Sequence, residues 1–167
     1  MPISFTYVKE SLIFSKRTFI YPGMLESGVQ ANDLEPVWTM QISERESTLC
    51  QGRNGPAIMT ARMEGHRKDL AQFNYQGKMS SGGFDGTKLT WAFIDFEGRR
   101  YDWMAGIMQN CWKLEDDKGQ TVANYIGMSR DFRLKGTVTF HTKVTESLIA
   151  LIILSTRMLK YADVNLH

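Results

Sequence analysis

Residues 145 to 161 read "TESLIALIILSTRMLKY", and the centre of the stretch, Leu148-Ile149-Ala150-Leu151-Ile152-Ile153-Leu154, is apolar without interruption. Successive helical residues step by about 100°, so seven apolar residues in a row leave no face for water and require enclosure on every side. Protein or lipid could supply it. The uncharged span between Glu146 and Arg157 is ten residues. That is about 15 Å of helix against the roughly 30 Å of bilayer hydrocarbon, too short to cross as a helix. The run is rich in β-branched residues, and periodicity alone leaves a strand open. The flanks favour a helix: Thr145 suits an N-cap, Glu146 the positive end of the helix dipole, and Arg157 and Lys160 the negative end.

The rest of the chain must provide the container. Its 167 residues fit a single domain, residues 1–167, large enough for a substantial core. Short strands separated by turn signals recur at intervals near ten residues, the mark of an all-β chain. Twelve candidates follow in order: Ser4 to Val8, Ser11 to Phe14, Thr18 to Tyr21, Val37 to Ile42, Ser47 to Gln51, Ala57 to Met63, Leu70 to Tyr75, Lys88 to Ile94, Arg99 to Ala105, Cys111 to Glu115, Thr121 to Ile126 and Gly136 to His141. Leu89, Trp91 and Phe93, then Tyr101 and Trp103, alternate with other residues and predict one face to the core and one to solvent. Glu97-Gly98 and Asp116-Asp117-Lys118-Gly119 carry hairpin chemistry, while Ser80-Ser81-Gly82-Gly83 and Pro22 to Asn32 read as loops. About twelve antiparallel strands closed around a helix over residues 145–161 satisfy both halves of the pattern.

Three stretches resemble a known family. "FTYVKESLIFSKRTF" (Phe5 to Phe19), "FEGRRYDWMAGIMQNCWKLEDDKGQTVANY" (Phe96 to Tyr125) and "GTVTFHTKVTESLIALIILSTRMLKY" (Gly136 to Tyr161) are similar to the opening strands, central block and last strand with core helix of the tubby C-terminal-like fold. That fold is shared by tubby, LURP-one and phospholipid scramblase proteins, and the chain looks closest to a fungal branch of single-domain members. Residues 24 to 86 match only as a loose series of strands. The resemblance implies a twelve-stranded barrel around a central hydrophobic helix. It also implies membrane chemistry, since tubby proteins bind phosphoinositides through a basic groove and scramblases associate with membranes. Fold does not fix function.

Net charge of +2 gives no strong field over the whole molecule, so nucleic acid is not an expected partner and any basic site must be local. Arg53 to Lys68 is the most basic stretch, with Arg53, Arg62, Arg67 and Lys68 against Glu64. Arg99 and Arg100, with Lys88 on the strand before them, form a second candidate. Guanidinium and ammonium groups are the natural receivers of phosphate, although charged strand edges also serve to block edge pairing. Alternation allows only one of Arg99 and Arg100 into any one patch. The expected activity is peripheral binding of an anionic phospholipid, such as a phosphoinositide, through these basic residues; the competing expectation is a protein-interaction or structural module.

Enzyme chemistry has little footing. His66, His141 and His167 lie in no HExxH, GxSxG or Cys-His arrangement, so no catalytic group, metal or cofactor is expected. His66 beside Asp69 reads as a surface hydrogen bond, and His141 faces solvent if Phe140 faces the core. Tyr101 and Trp103 belong to the core rather than to a base-stacking surface. Met104, Met108, Met128 and Met158 are expected between helix and wall. Met1-Pro2-Ile3-Ser4 lacks a basic region leading into an apolar one, which predicts a cytoplasmic protein, peripheral at membranes if it binds lipid, with Cys50 and Cys111 reduced. Enclosure of the apolar run has a direct test. Ile152→Asp places an unpaired charge in the core at several kcal/mol, comparable with a whole domain's roughly 5–15 kcal/mol, and is expected to abolish the cooperative urea transition. A cooperatively folded variant would show the run to be solvated.

Overall fold

Strand alternation is carried out as a meander in the computed structural model, which describes residues 2–11, 16–65, 70–108, 110–127 and 133–159. The strands are β1 (Ile3–Lys9), β2 (Arg17–Pro22), β3 (Trp38–Ile42), β4 (Glu46–Gln51), β5 (Ala57–Glu64), β6 (Leu70–Tyr75), β7 (Lys78–Asp85), β8 (Thr90–Ile94), β9 (Arg100–Ala105), β10 (Cys111–Asp116), β11 (Thr121–Gly127) and β12 (Leu134–Phe140). Each pairs antiparallel with its neighbours in sequence. β1 closes the ring on β12, with Ile3 opposite Phe140 and Phe5 opposite Val138, so no edge is left to pair with another chain.

Period-two alternation turns Met59, Ala61 and Met63 of β5, Trp91 and Phe93 of β8, Tyr101 and Trp103 of β9, and Trp112 and Leu114 of β10 inward. Aromatic rings meet at short range inside. Phe73 meets Trp91 edge-on at 6.4 Å, and Phe93 stacks on Tyr101 at 5.4 Å.

The apolar run is helix α1 (Glu146–Ser155), continued by a 3-10 turn at Thr156–Met158. Thr145 caps it as expected, its hydroxyl accepting from the Leu148 N–H at 3.3 Å. Leu151, Ile152, Ile153 and Leu154 each have 0% exposure, and four consecutive helical residues point in all directions around the axis. Protein contacts surround it accordingly. Tyr7 of β1 donates to the Ile153 carbonyl at 3.3 Å, Trp103 of β9 donates its indole N–H to Ser155 Oγ at 2.8 Å, and β4 and β5 pack against the helix. Around a twelve-strand ring, β1, β5 and β9 stand four strands apart from one another, so these contacts reach the helix from three evenly spaced directions. α1 runs inside the barrel.

A second apolar cluster lies outside the wall, where Val8, Phe19, Tyr21 and Leu134 are covered by Leu25 and Ala31. The β2–β3 connection folds back over β1, β2 and β12 to cover it. Thr6 fastens the fold-back by accepting from the Leu25 N–H (3.0 Å) and donating to the Gly23 carbonyl (2.8 Å). The loop expected at Pro22 to Asn32 is thus partly ordered: Pro22 ends β2, and Gly28–Asp33 is a 3-10 helix with Gln30 accepting from the Glu26 N–H.

The expected loop at Ser80-Ser81-Gly82-Gly83 is the middle of β7. A Cβ on Gly82 would lie 2.6 Å from Trp91 Cη2 and 2.8 Å from the Ala92 carbonyl, so the glycine marks a ring packed flat on the strand rather than a flexible turn. Of the expected strand at Ser11 to Phe14, Ser11 is irregular and the remainder lies outside the described residues. Leu89 is not an inward strand residue; it sits in the β7–β8 turn with φ +57° and is exposed. The methionines are redistributed as well. Met158 is buried beside the helix, but Met104 is half-buried on the outer wall, Met108 is exposed and Met128 lies outside the described residues, while Met40, Met59 and Met63 fill the interior. Phe140 faces the core and His141 turns outward to meet Asn124. Cys50 and Cys111 are free cysteines.

Gly82→Ala is expected to destabilise the barrel by about 1–3 kcal/mol, because Trp91 has no room to retreat. Gly86→Ala, where nothing stands within 4 Å, provides the control. Urea midpoints that shift equally for both would disprove the close packing of Trp91 on β7.

Candidate functional site

With the lumen occupied by α1, the molecule presents an outer wall and two rims. Antiparallel order assigns the connections. The entry rim, where α1 begins, carries residues 52–56, 76–77, 95–99, 117–120 and 141–145. The exit rim, where α1 ends, carries residues 43–45, 86–89, 106–108 and 110 and the described ends of the β1–β2, β5–β6 and β11–β12 connections.

The sequence-predicted basic residues do not converge. Arg53 sits in the β4–β5 turn at the entry rim, 3.7 Å from Glu35, donating to the Leu34 carbonyl at 3.3 Å and stacked 4.6 Å over the Phe19 ring. Arg62 is exposed on the outer face of β5, opposite Glu46 of β4 and Gln72 of β6. The five residue steps from Ala57 to Arg62 alone span about 17 Å, so the two arginines belong to different ends of the barrel. Arg67, Lys68 and His66 lie outside the described residues. Lys88 is exposed at the exit rim, whereas Arg99 is exposed at the entry rim, where Asp95 Oδ1 accepts its backbone N–H at 2.8 Å.

Arg100 is on the outer wall and engaged. Its guanidinium grips Asp102 with Nε and Nη2, both at 2.9 Å, and Nη2 also reaches Asp85 at 2.6 Å. Thr90 donates to the same Asp102 carboxylate at 2.6 Å. Such paired, charge-assisted bonds are short and strong. The Arg100 hydrogen bond, with the backbone N–H groups of Lys88 and Thr87, holds the Asp85 carboxyl below its ordinary range. Burial pushes Asp102 up, but the hydrogen bonds from Arg100 and Thr90 outweigh it and the net shift is downward. The adjoining wall cleft, about 750 Å³, is lined by Lys88 and Arg100 but also by Asp102, Glu115, Asp116 and Asp117. That balance disfavours an anion there.

Cations gather instead at the exit rim. Among the described residues, Lys16, Arg45, Lys88, Arg133 and Arg157 stand in or beside its connections with Glu10 and Glu44, flanked by Glu46, Glu64 and Asp85 at the strand ends; Arg133 also donates to Asn32 Oδ1 at 3.1 Å. At the entry rim Arg53, Arg99, Lys118 and Lys143 face Glu35, Asp95, Glu97, Asp117 and Glu146. A cavity of about 320 Å³ opens at the exit rim, bounded by Tyr7, Asn110, Trp112, Lys135, Thr156 and Arg157. Its two phenols are not proton carriers near neutrality. Burial pushes Tyr125 up to about 12, and burial together with Tyr125 raises Tyr7 well above its ordinary value despite the Thr156 hydroxyl 3.1 Å away. Lys16, Arg45, Arg133 and Arg157 escape a search for charge runs because they lie far apart in sequence. The signal that finds them is topological: in a meander, alternate connections share one end.

An X-ray structure of a protein from Arabidopsis thaliana is similar to this chain, with a TM-score of 0.56 at 14% sequence identity over 98% of this chain and 91% of that one. This likeness shows the fold alone. No family model and no curated protein matches the chain. Among the described residues no helix is long and apolar enough to cross a membrane, and no group of three His, Cys, Asp or Glu residues is placed to hold a metal ion.

The Arg100 cluster makes a pH-dependent contribution with a defined sign. Both carboxylates have folded-state pKa values below the ordinary value of about 3.9, so their contribution is present above about pH 4 and is lost as pH falls through the depressed folded values. Arg100→Gln is expected to lower the urea midpoint at pH 7, with the gap from wild type narrowing by pH 3. A gap independent of pH would show that the cluster is not electrostatically coupled.

Proposed function

We propose that this protein is a non-enzymatic barrel that binds anionic phospholipid peripherally, with the exit rim toward the membrane. The observation that carries the reading is the gathering of Lys16, Arg45, Lys88, Arg133 and Arg157 at one end of the barrel, where among the described residues Glu10 and Glu44 lie in the same connections and Glu46, Glu64 and Asp85 flank them. An anionic leaflet attracts juxtaposed basic residues by about 1 kcal/mol each, within a Debye length of roughly 8–10 Å. Arginine adds planar donor pairs suited to phosphate. The resemblance of the opening, central and closing stretches to the tubby, LURP-one and scramblase proteins supports the same direction and suggests phosphoinositide as the lipid. Of the residues singled out in sequence, Lys88 belongs to this rim; Arg53 and Arg99 face the other way, and Arg100 is held by its carboxylates.

Co-sedimentation with neutral phosphatidylcholine vesicles, and with the same vesicles containing phosphatidylserine or a phosphoinositide, tests the proposal. Binding is expected on the anionic vesicles only, weakening with salt. Arg45→Ala combined with Lys88→Ala removes about 2 kcal/mol and is expected to weaken binding roughly 30-fold, whereas Arg53→Ala at the opposite rim changes little. Equal binding to neutral and anionic vesicles, or none to either, would sink the proposal.

A further inference from the structure

Four large apolar side chains on the exit rim are exposed. Ile107 is completely exposed and Met108 is 73% exposed, both in the β9–β10 connection; Leu89 and Ile126 are each about half exposed on either side of it. Strand register places their backbones on neighbouring elements. Trp91 opposite Trp103 brings Leu89 beside Ala105, and both line the same wall cleft. Cys111 lies opposite Ile126, and the Gly127 N–H donates to the Asn110 carbonyl at 2.8 Å, which brings Ile126 to the other foot of the loop. The row therefore runs across β8, β9, β10 and β11.

The loop is held outward by its own backbone. The Gly106 N–H donates to the Cys111 carbonyl at 2.6 Å, the Cys111 N–H to the Met108 carbonyl at 3.3 Å, and Asn110 takes the left-handed conformation that closes the turn, φ +64°. Leu89 is also left-handed, at φ +57°, a conformation leucine rarely adopts. Single exposed apolar residues are ordinary, but four large ones on adjacent elements are not.

We infer that the β9–β10 loop is a membrane-insertion tip: Ile107 and Met108 enter the boundary between headgroups and acyl chains of an anionic bilayer, flanked by Leu89 and Ile126, while cations of the same rim meet the phosphates. The inference rests on the anionic-lipid reading above and adds the orientation and the inserting residues. Charge complementarity selects the bilayer as occupant. Lys88 adjoins Leu89, residues 86–89 and 106–110 contain no acidic residue, and Asp85, which flanks the first of these turns, is paired with Arg100 at 2.6 Å. Shape agrees, because a convex tip of two side chains offers far less than the roughly 800 Å² per partner of a stable protein interface, whereas interfacial burial to about 5–10 Å suits such a tip.

The full chain is tested on vesicles of phosphatidylcholine with phosphatidylserine. Ile107→Ser with Met108→Ser is expected to weaken partitioning roughly 30-fold while the unfolding transition stays in place, since both positions are exposed in the folded protein. Residual binding of that variant is expected to be abolished by high salt. In a second measurement, Met108→Trp is expected to gain a blue-shifted emission on vesicles, quenched by lipids brominated near the top of the acyl chain; the native Trp38, Trp91, Trp103 and Trp112 are buried and supply a constant background. A double-serine variant that binds like wild type, or an introduced tryptophan left unquenched, overturns insertion while leaving the anionic-lipid reading intact. Wild-type protein that binds no vesicle overturns both, and the apolar row then belongs to a protein contact.

Discussion

A helix without a polar face is stable in water only where protein meets it in every direction around its axis. That constraint sets the size of the wall. Twelve strands about 4.8 Å apart and tilted near 40° make a barrel of about 12 Å radius, room for one helix backbone and one layer of side chains from each side. The layer is built from large residues, Trp91, Trp103, Phe73, Phe93, Met59 and Met63, all with exposure at or near zero. Smaller side chains would leave cavities at the density of a protein interior, and larger ones would push the helix off axis.

Apolar packing alone would let the helix slide or turn, and polar contacts fix its register. Trp103 donates to Ser155, which donates to the Ile152 carbonyl at 2.6 Å, and Thr156 donates to the Ile153 carbonyl at 2.7 Å beside Tyr7. These bonds satisfy donors and acceptors that would otherwise be orphaned at a buried helix end. They also set direction. The carbonyl end of α1 faces the exit rim, so Arg157 in the last turn and the other cations there stand where the helix dipole favours positive charge.

The helix and its cap were readable because Thr145, the uninterrupted apolar run and Arg157 occur in one stretch, and most strands were readable because Trp and Phe recur at period two. β7 was hidden by the same residues that build it: Ser80-Ser81-Gly82-Gly83 has the composition of a loop, and its reason to be a strand, the Trp91 ring lying across Gly82, is nine residues away on another strand. The basic face was hidden for a related reason. Arg53 and Arg62 are close in sequence but separated by the length of β5, whereas Arg45, Lys88 and Arg157 are far apart in sequence and share a rim. The split of Arg99 from Arg100 was legible from alternation; the engagement of Arg100 was not, because Asp85 and Asp102 become its partners only through the pairing of β7, β8 and β9.

Filling the lumen determines where a ligand can act. Beyond the cavity of about 320 Å³ at the exit rim, an acyl chain inside the barrel would have to displace α1 and leave its seven apolar residues without cover, so the surfaces open to a ligand are the rims and the outer wall. One side of the wall is occupied by the fold-back over Phe19 and Tyr21, and the side around Arg100 carries an excess of carboxylates. What remains outward-facing, positive and apolar at once is the exit rim. On the anionic-lipid reading proposed above, the same helix that gives the fold its core leaves recognition to the barrel end where its own carbonyl terminus, Arg157 and the row from Leu89 to Ile126 lie.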